Sequence, residues 1–187
     1  MMDVSARDVA AAALVAFGAI EVFLRRGESA RSWQTTAVDR GSTAAIIVAY
    51  VAVGIALTID VRGWRLPQWS AGAGAVVAWM GVVLRVVAFR TLGSRYSRTL
   101  RVTEQQTLLT HGVYRYVRHP GYASALAIWG GAAIATGSAI AAGAVLAVLA
   151  VAYRYRIGAE ERMLLDAFGD AYRTYCARSW RLIPFVY

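Results

Sequence analysis

Two short stretches of this sequence carry residue types that do chemistry. In HGVYRYVRHPGYAS, residues 111–124, Tyr114, Arg115, Tyr116, Arg118, His119 and Tyr122 crowd just ahead of a long apolar run. Aromatic rings there can stack on a heterocycle, while Arg, His and the free N–H groups of a starting helix can hold an anion. The same composition also suits an interfacial belt, with Tyr and Arg at headgroup level and Pro120 starting the helix.

The second stretch, RYRIGAEERMLL at residues 154–165, places an acidic pair directly after another apolar run. Burying a carboxylate is costly unless a cation or several donors meet it. Glu161 has Leu164, Leu165 and Phe168 at i+3, i+4 and i+7, which puts it on the apolar face, and Arg154 seven residues earlier shares that face. Glu160 reads equally well as a first-turn acid paired with Arg156 at i−4 and as a ligand.

Other chemistries are excluded by what is missing. His111, His119 and Cys176 give no metal-ligand spacing, no HExxH or CxxC occurs, and no metal is expected. One cysteine makes no intrachain disulfide. No P-loop or GxGxxG is present; the nearest match, Gly72-Ala73-Gly74, opens an apolar helix and reads as close helix packing, so a Rossmann nucleotide site is disfavoured.

Composition says what must position the two polar stretches. Of the 187 residues, 58% are hydrophobic and 17% charged, where soluble domains run about 45–50% apolar and about 25% charged. The basic residues are all arginine and the net charge is +9. A basic soluble domain would suggest nucleic acid. Here the arginines fall between apolar segments, as in the cytoplasmic loops of membrane proteins, and no nucleic-acid partner is expected.

A bilayer core about 30 Å thick needs roughly 20 apolar helical residues, or somewhat fewer where the membrane thins. Five segments approach that length: 9–24, 43–59, 71–89 (interrupted by Arg85), 122–136 and 138–156. The last two are halves of one apolar stretch broken at Thr136, Gly137 and Ser138 into a tight hairpin. The leader MMDVSARD carries two acids against one Arg, so the first segment is read as a span and not as a signal peptide. With the N-terminus outside, only Arg7, Arg62 and Arg65 fall outside, which supports five spans with a cytoplasmic C-terminus.

Two pieces remain outside the spans. Residues 90–120 include the β-leaning runs TLRV and TLLT around Glu104-Gln105-Gln106, which predict a small hairpin on the inner face. From Gly158 the chain reads as a helix with Leu164, Phe168, Ala171 and Tyr175 on one face and Arg162, Asp166, Asp170 and Arg173 on another. No repeat, low-complexity tract or linker divides residues 1–187. The expected fold is one all-α integral membrane domain with about five transmembrane helices, a small cytosolic connector and a C-terminal cytosolic amphipathic helix.

Arg118-His119-Pro120-Gly121-Tyr122, the hydrophobic hairpin and Glu160-Glu161 together resemble the isoprenylcysteine carboxyl methyltransferase family, which is related to phospholipid methyltransferases. That family's pattern is RHPxY, a hydrophobic stretch, then paired glutamates. The resemblance extends to Gly112 and Tyr114 upstream, and through Leu164, Phe168-Gly169, Tyr172 and Tyr175 to Pro184 downstream. Ser124 departs from it, standing where the family usually has Gly. The first two spans are similar only in being apolar.

The resemblance implies an integral membrane methyltransferase that uses S-adenosylmethionine without a Rossmann fold. Its cofactor region corresponds to residues 112–122 and 154–187. Carboxylates such as Glu160 and Glu161 suit the cofactor's ammonium or ribose diol, Arg118 or Arg154 its carboxylate, and Tyr114 or Tyr122 its adenine. Pro120 belongs to the same cofactor-binding set, and His119 suits either a cofactor polar group or a base. The residues expected to carry catalysis are Arg118, His119 and Glu161.

The sulfonium methyl is already activated, so the protein has to align an acceptor about 3–3.5 Å away for in-line transfer and exclude water. An ionised carboxylate acceptor needs no base, whereas a phenol with a pKa of about 10 does. A lipophilic acceptor from the bilayer is expected: a prenylated carboxylate, a phenolic or quinone-type lipid, or a phospholipid amine. Small residues Ala123, Ala127, Gly130 and Gly131 either permit close helix contact or leave a groove for its tail. Arg85 either lines the site or snorkels to the interface. The expected location is a cell inner membrane, with the active site facing the cytoplasm. Two other readings compete: an NADPH-dependent membrane reductase related to sterol reductases, and a non-catalytic membrane scaffold.

Overall fold

The computed structural model describes residues 5–25, 41–58, 63–93 and 108–187. Among them all regular structure is helical: α1 (Ala6–Arg25), α2 (Ser42–Thr58), α3 (Ser70–Leu92), a 3-10 turn at Gly112–Arg115, α4 (Pro120–Ala135) and α5 (Ala139–Cys176). Each expected apolar segment coincides with one of the five α-helices, and their boundaries agree to within a turn except at the end of the last. α3 and α5 are long and apolar enough to cross a bilayer, with mean hydropathies of 1.9 and 1.6 over their most apolar windows; Ser42–Leu57 is apolar but shorter. The hairpin expected around Glu104-Gln105-Gln106 lies outside the described residues, and Leu108–Thr110 carry no regular structure.

The α4–α5 connection follows its turn chemistry. Gly137 takes φ 73°, a left-handed conformation open to glycine, and the Ser138 hydroxyl caps α5 by accepting from Ala141 N at 3.2 Å.

α5 departs from expectation. The helix anticipated from Gly158 is no separate element, because nothing between Tyr153 and Phe168 breaks the backbone and the apolar helix simply continues. A run from Ala139 to Phe168 rises about 45 Å, well beyond a hydrocarbon core of about 30 Å. The interruption comes at Gly169, at φ 50° and ψ −124°. That break also corrects the predicted amphipathic face: Ala171 is exposed and Tyr172 buried, because the register is reset after Phe168.

α3 and α4 pack backbone against backbone. A Cβ on Gly74 would lie 2.5 Å from the Gly131 carbonyl oxygen, and one on Gly131 would lie 2.5 Å from Ala78 N. Gly72 meets nothing, so of the Gly72-Ala73-Gly74 run it is Gly74 that serves close packing. Gly130 instead faces Leu146 on α5. Ser124 is accommodated without harm, its buried hydroxyl donating to its own helix at Gly121 O, 2.7 Å away. Gly131→Val is expected to force these helices apart and to cost at least about 3 kcal/mol, seen as loss of a monodisperse detergent-solubilised protein on size-exclusion chromatography.

Between the helices lies an aromatic core. Tyr50 of α2 stacks on Trp129 of α4 at 5.5 Å, Phe17 of α1 meets both edge-on, and the Tyr50 and Tyr153 hydroxyls share a hydrogen bond at 2.8 Å. This layer fixes the depth and rotation of α4 and α5, the two helices that carry the polar stretches.

Candidate functional site

The segment before α4 is pinned to the C-terminal tail. Arg118 N donates to Trp180 O at 2.7 Å, His119 N to Arg181 O at 3.0 Å, and Trp180 N to Tyr116 O at 2.8 Å. Pro120 then occupies the first helical turn, where its missing N–H costs nothing. The RHPGY stretch is thereby held between the mouth of α4 and the tail that follows α5.

The two polar stretches meet. The Tyr122 hydroxyl donates to Glu160 Oε2 at 2.8 Å, and Arg118 Nε donates to Glu161 Oε1 at 3.2 Å. The His119 ring stands between the carboxylates, with Nδ1 3.9 Å from Glu160 Oε2 and Nε2 3.5 Å from Glu161 Oε1. That Nε2 is buried and finds no aligned hydrogen-bond partner among the described residues. The ring also stacks on Tyr122 at 5.7 Å, and Tyr122 in turn lies against Tyr153 at 5.2 Å.

The glutamates are not equivalent. Glu161 is surrounded by cations: Arg118 Nε, Arg181 Nε at 3.1 Å on one oxygen and Arg181 Nη2 at 2.7 Å on the other, with His119 beside them. Its acceptor capacity is taken by the protein itself. Glu160 accepts from Tyr122, and its side chain is more open, 27% exposed against 13%. Glu160 is therefore the carboxylate that can receive a ligand, and Glu161 the one that organises the cations.

Arg118 is likewise engaged by the protein. Its Nη1 donates to the carbonyls of Cys176, at 3.1 Å, and Ser179, and to the Ser179 hydroxyl at 3.2 Å. It closes the end of α5, as cations do at helix C-termini.

Arg154 does not join the cluster. It is exposed on α5, whereas Arg156 is buried. Arg156 does not form the anticipated i−4 pair with Glu160 as its anchor: its Nε donates to the Tyr122 hydroxyl at 3.1 Å, and its Nη1 to Ser42 and Thr43 of α2 at 2.8 and 2.9 Å. Tyr114 sits at the rim, its carbonyl accepting from the Tyr175 hydroxyl at 2.6 Å. Arg85 turns inward from α3: its guanidinium bonds Gly121 O at 2.7 Å, pairs with Glu21 of α1, and lies over the Phe17 and Phe89 rings. It thus supports the first turn of α4.

The electrostatics follow from these contacts. Burial pushes the Glu161 carboxyl up, but the nearby His119 ring and the hydrogen bonds and charge of Arg181 outweigh it and hold the group at about 2. Arg181 is correspondingly raised, chiefly by its bond to Glu161. Burial pushes Tyr175 up to about 12 and raises Tyr172, with the Glu161 charge acting in the same direction on Tyr172. Tyr172 Oη is buried and has no aligned partner among the described residues.

A carboxyl lowered by folding contributes stability above its ordinary value and loses it as pH falls through the folded value. For Glu161 that window runs from 4.5 down to about 2. The tail is expected to resist pepsin at pH 4.5 and to become cleavable around Trp180 as the pH approaches 2, with the transition absent in Glu161→Gln.

An apolar helical bundle with a carboxylate pair and its cations gathered beside one helix mouth is the architecture of an integral membrane protein. Residues 74–166 match the sequence model of the isoprenylcysteine carboxyl methyltransferase family, a stretch that includes both polar clusters. A probable protein-S-isoprenylcysteine O-methyltransferase from Oryza sativa subsp. indica is 34% identical over 116 residues, covering 60% of each chain. The protein-S-isoprenylcysteine O-methyltransferase of Tribolium castaneum is 32% identical over 130 residues, 66% of this chain and 45% of that one. The chain thus spans 60% or less of the length of these two relatives. In fold it resembles the eukaryotic intramembrane Ras methyltransferase ICMT, with a TM-score of 0.67 at 24% identity, covering all of this chain and 70% of that one.

Arg156, Arg181 and Glu21 join the site or its support without being among the residues expected from the sequence. Arg156 carries a signal in its i−4 spacing to Glu160, but that spacing suits a surface pair equally well. Arg181 lies beyond the end of α5, where helical spacing no longer predicts neighbours.

Proposed function

We propose that this protein is an integral membrane methyltransferase that binds S-adenosylmethionine at the His119–Glu160 end of the bundle and methylates a lipophilic acceptor, in the first instance a prenylated carboxylate. The observation that carries the reading is the 2.8 Å hydrogen bond from Tyr122 to Glu160, which joins the family's two motifs into one constellation. The names of the curated relatives support the acceptor class. The five α-helices are read as five spans, with this end of the bundle in the cytoplasm of a cell whose inner membrane holds the protein.

The residues present fit the cofactor. Glu160 offers a partly open anion for an ammonium or a diol, the His119–Tyr122 stack offers an aromatic surface, and buried His119 Nε2 and Tyr172 Oη are polar atoms that need partners. Bound there, S-adenosylmethionine supplies a methyl already activated by its positive sulfur. The protein's part is positioning. Glu161, Arg118 and Arg181 lock the tail over the RHPGY segment, Arg156 holds Tyr122 against α2, and Arg85 holds the α4 mouth. With an ionised carboxylate as acceptor, no proton has to be removed. His119 then serves to space the two glutamates and not as a base.

Incubation of the purified protein with tritiated S-adenosylmethionine and farnesylated cysteine analogues tests the reading, and label is expected in the base-labile methyl ester. Label in a phenolic lipid or a phospholipid amine would keep the methyltransferase and change the acceptor. Oxidation of NADPH without any methyl transfer would favour the reductase, and inertness toward both would favour a scaffold.

A further inference from the structure

At the other end of the bundle lies a second polar feature that the methyl-transfer reading does not use. Four pieces of chain converge there: the start of α1, the segment before α3, the start of α3 and the α4–α5 turn. Arg65 pairs with Ser138 through an isolated bridge, Leu66 N donates to Gly137 O at 2.8 Å, and Arg7 Nη2 donates to Thr136 O at 2.8 Å. They enclose a cavity of about 470 Å³ lined by Arg7, Arg65, Gln68 and Ser70 among others, a size common for small-ligand sites.

Three observations say what fits. Two guanidinium-bearing residues line the cavity, and the Arg7 bond to Thr136 uses only one of its five donors. Ser70 is 4% exposed, and its hydroxyl has no hydrogen-bond partner among the described residues, a cost relieved by a ligand acceptor. The carboxylate of Asp8 is not part of the lining; its Oδ2 accepts from Ser5 N and Oγ at 2.9 and 2.7 Å. The pocket favours an anion with several oxygens, which guanidinium groups bind in forked fashion.

The surroundings say what carries that anion. Trp64 and Trp69 beside it are 83% and 73% exposed, as anchors at headgroup level are. One turn further along both α1 and α3 an apolar groove of about 600 Å³ opens, lined by Val9, Ala75, Val76, Met80, Val83 and Val87. Trp79 Nε1 donates to Val9 O at 3.0 Å and ties its two walls together. From Ala75 to Val87 the groove runs about 18 Å, roughly the depth of one leaflet.

We propose that this end of the protein holds one anionic phospholipid, with its phosphate on Arg7, Arg65 and the Ser70 hydroxyl and one acyl chain in the α1–α3 groove. Native mass spectrometry of the detergent-solubilised full chain tests it, using phosphatidylglycerol, phosphatidylcholine and inorganic phosphate as probes. The expected result is one retained phosphatidylglycerol per protein, bound at least fivefold more tightly than phosphatidylcholine. Phosphatidylglycerol affinity should fall at least tenfold in Arg7→Gln/Arg65→Gln, abolishing the preference, and recover in part in Arg7→Lys/Arg65→Lys. Met80→Trp, which fills the groove and leaves the cationic end intact, should weaken phosphatidylglycerol at least threefold. Equal retention of the two lipids would overturn the proposal, as would indifference to the Arg7/Arg65 pair in folded protein. Displacement of phosphatidylglycerol by millimolar inorganic phosphate would overturn it too, assigning the pocket to a free anion.

Discussion

Glu161→Gln is expected to lower the stability of the folded protein by an amount on the order of 3 kcal/mol, and to reduce methyl transfer at least roughly 100-fold. The carboxylate receives Arg118 on one oxygen and Arg181 on both. A glutamine keeps one acceptor oxygen but turns an amide N–H₂ toward a guanidinium, leaving a cation poorly matched in a mostly buried place. The Arg118 fork onto the Cys176 and Ser179 carbonyls would then loosen, and with it the pairing of residues 116–119 to Trp180 and Arg181. A melting temperature roughly 10 °C below that of the parent protein, with residual activity under about 1%, is the predicted outcome. A fully active, equally stable variant would show that the tail is not fastened through this residue.

Glu160→Gln should behave differently although it changes the neighbouring residue in the same way. Its amide oxygen can still accept from the Tyr122 hydroxyl, so the melting temperature should move by no more than about 2 °C. What is removed is a charge on the more open side of the pair, where a charged hydrogen bond to ligand is worth about 1.5–3 kcal/mol. KM for S-adenosylmethionine is therefore expected to rise roughly 10- to 100-fold, with a smaller change in kcat once the cofactor saturates. The opposite pattern, a destabilised protein with an unaltered KM, would move the ligand-facing role away from Glu160.

The helices were legible because apolar length and turn residues are local properties. Thr136, Gly137 and Ser138 announced their hairpin through chemistry that acts within a few residues. The site was legible to the extent that its cost is local. A glutamate on an apolar helix face demands cations, so Glu161 stood out before its partners were known. The partners themselves were not legible. Arg181 reaches Glu161 only because the chain turns back after Cys176, beyond the reset of helical register at Gly169. Arg156 anchors on Ser42 and Thr43 because α2 packs beside α5, an arrangement no spacing within α5 encodes. Arg154 misled for the related reason that a shared helix face is not a shared depth. Arg118, expected to meet a ligand carboxylate, is already committed to the end of α5.

Isothermal titration calorimetry decides whether the RHPGY segment and the Glu160–Glu161 pair together hold one adenosyl cofactor. The probe is S-adenosylhomocysteine, titrated into the detergent-solubilised protein. Saturable one-to-one binding is expected, weakening at least tenfold both in His119→Ala and in Glu160→Gln, one variant from each stretch. Absence of saturable binding to the folded parent protein would contradict it, as would full affinity in both variants.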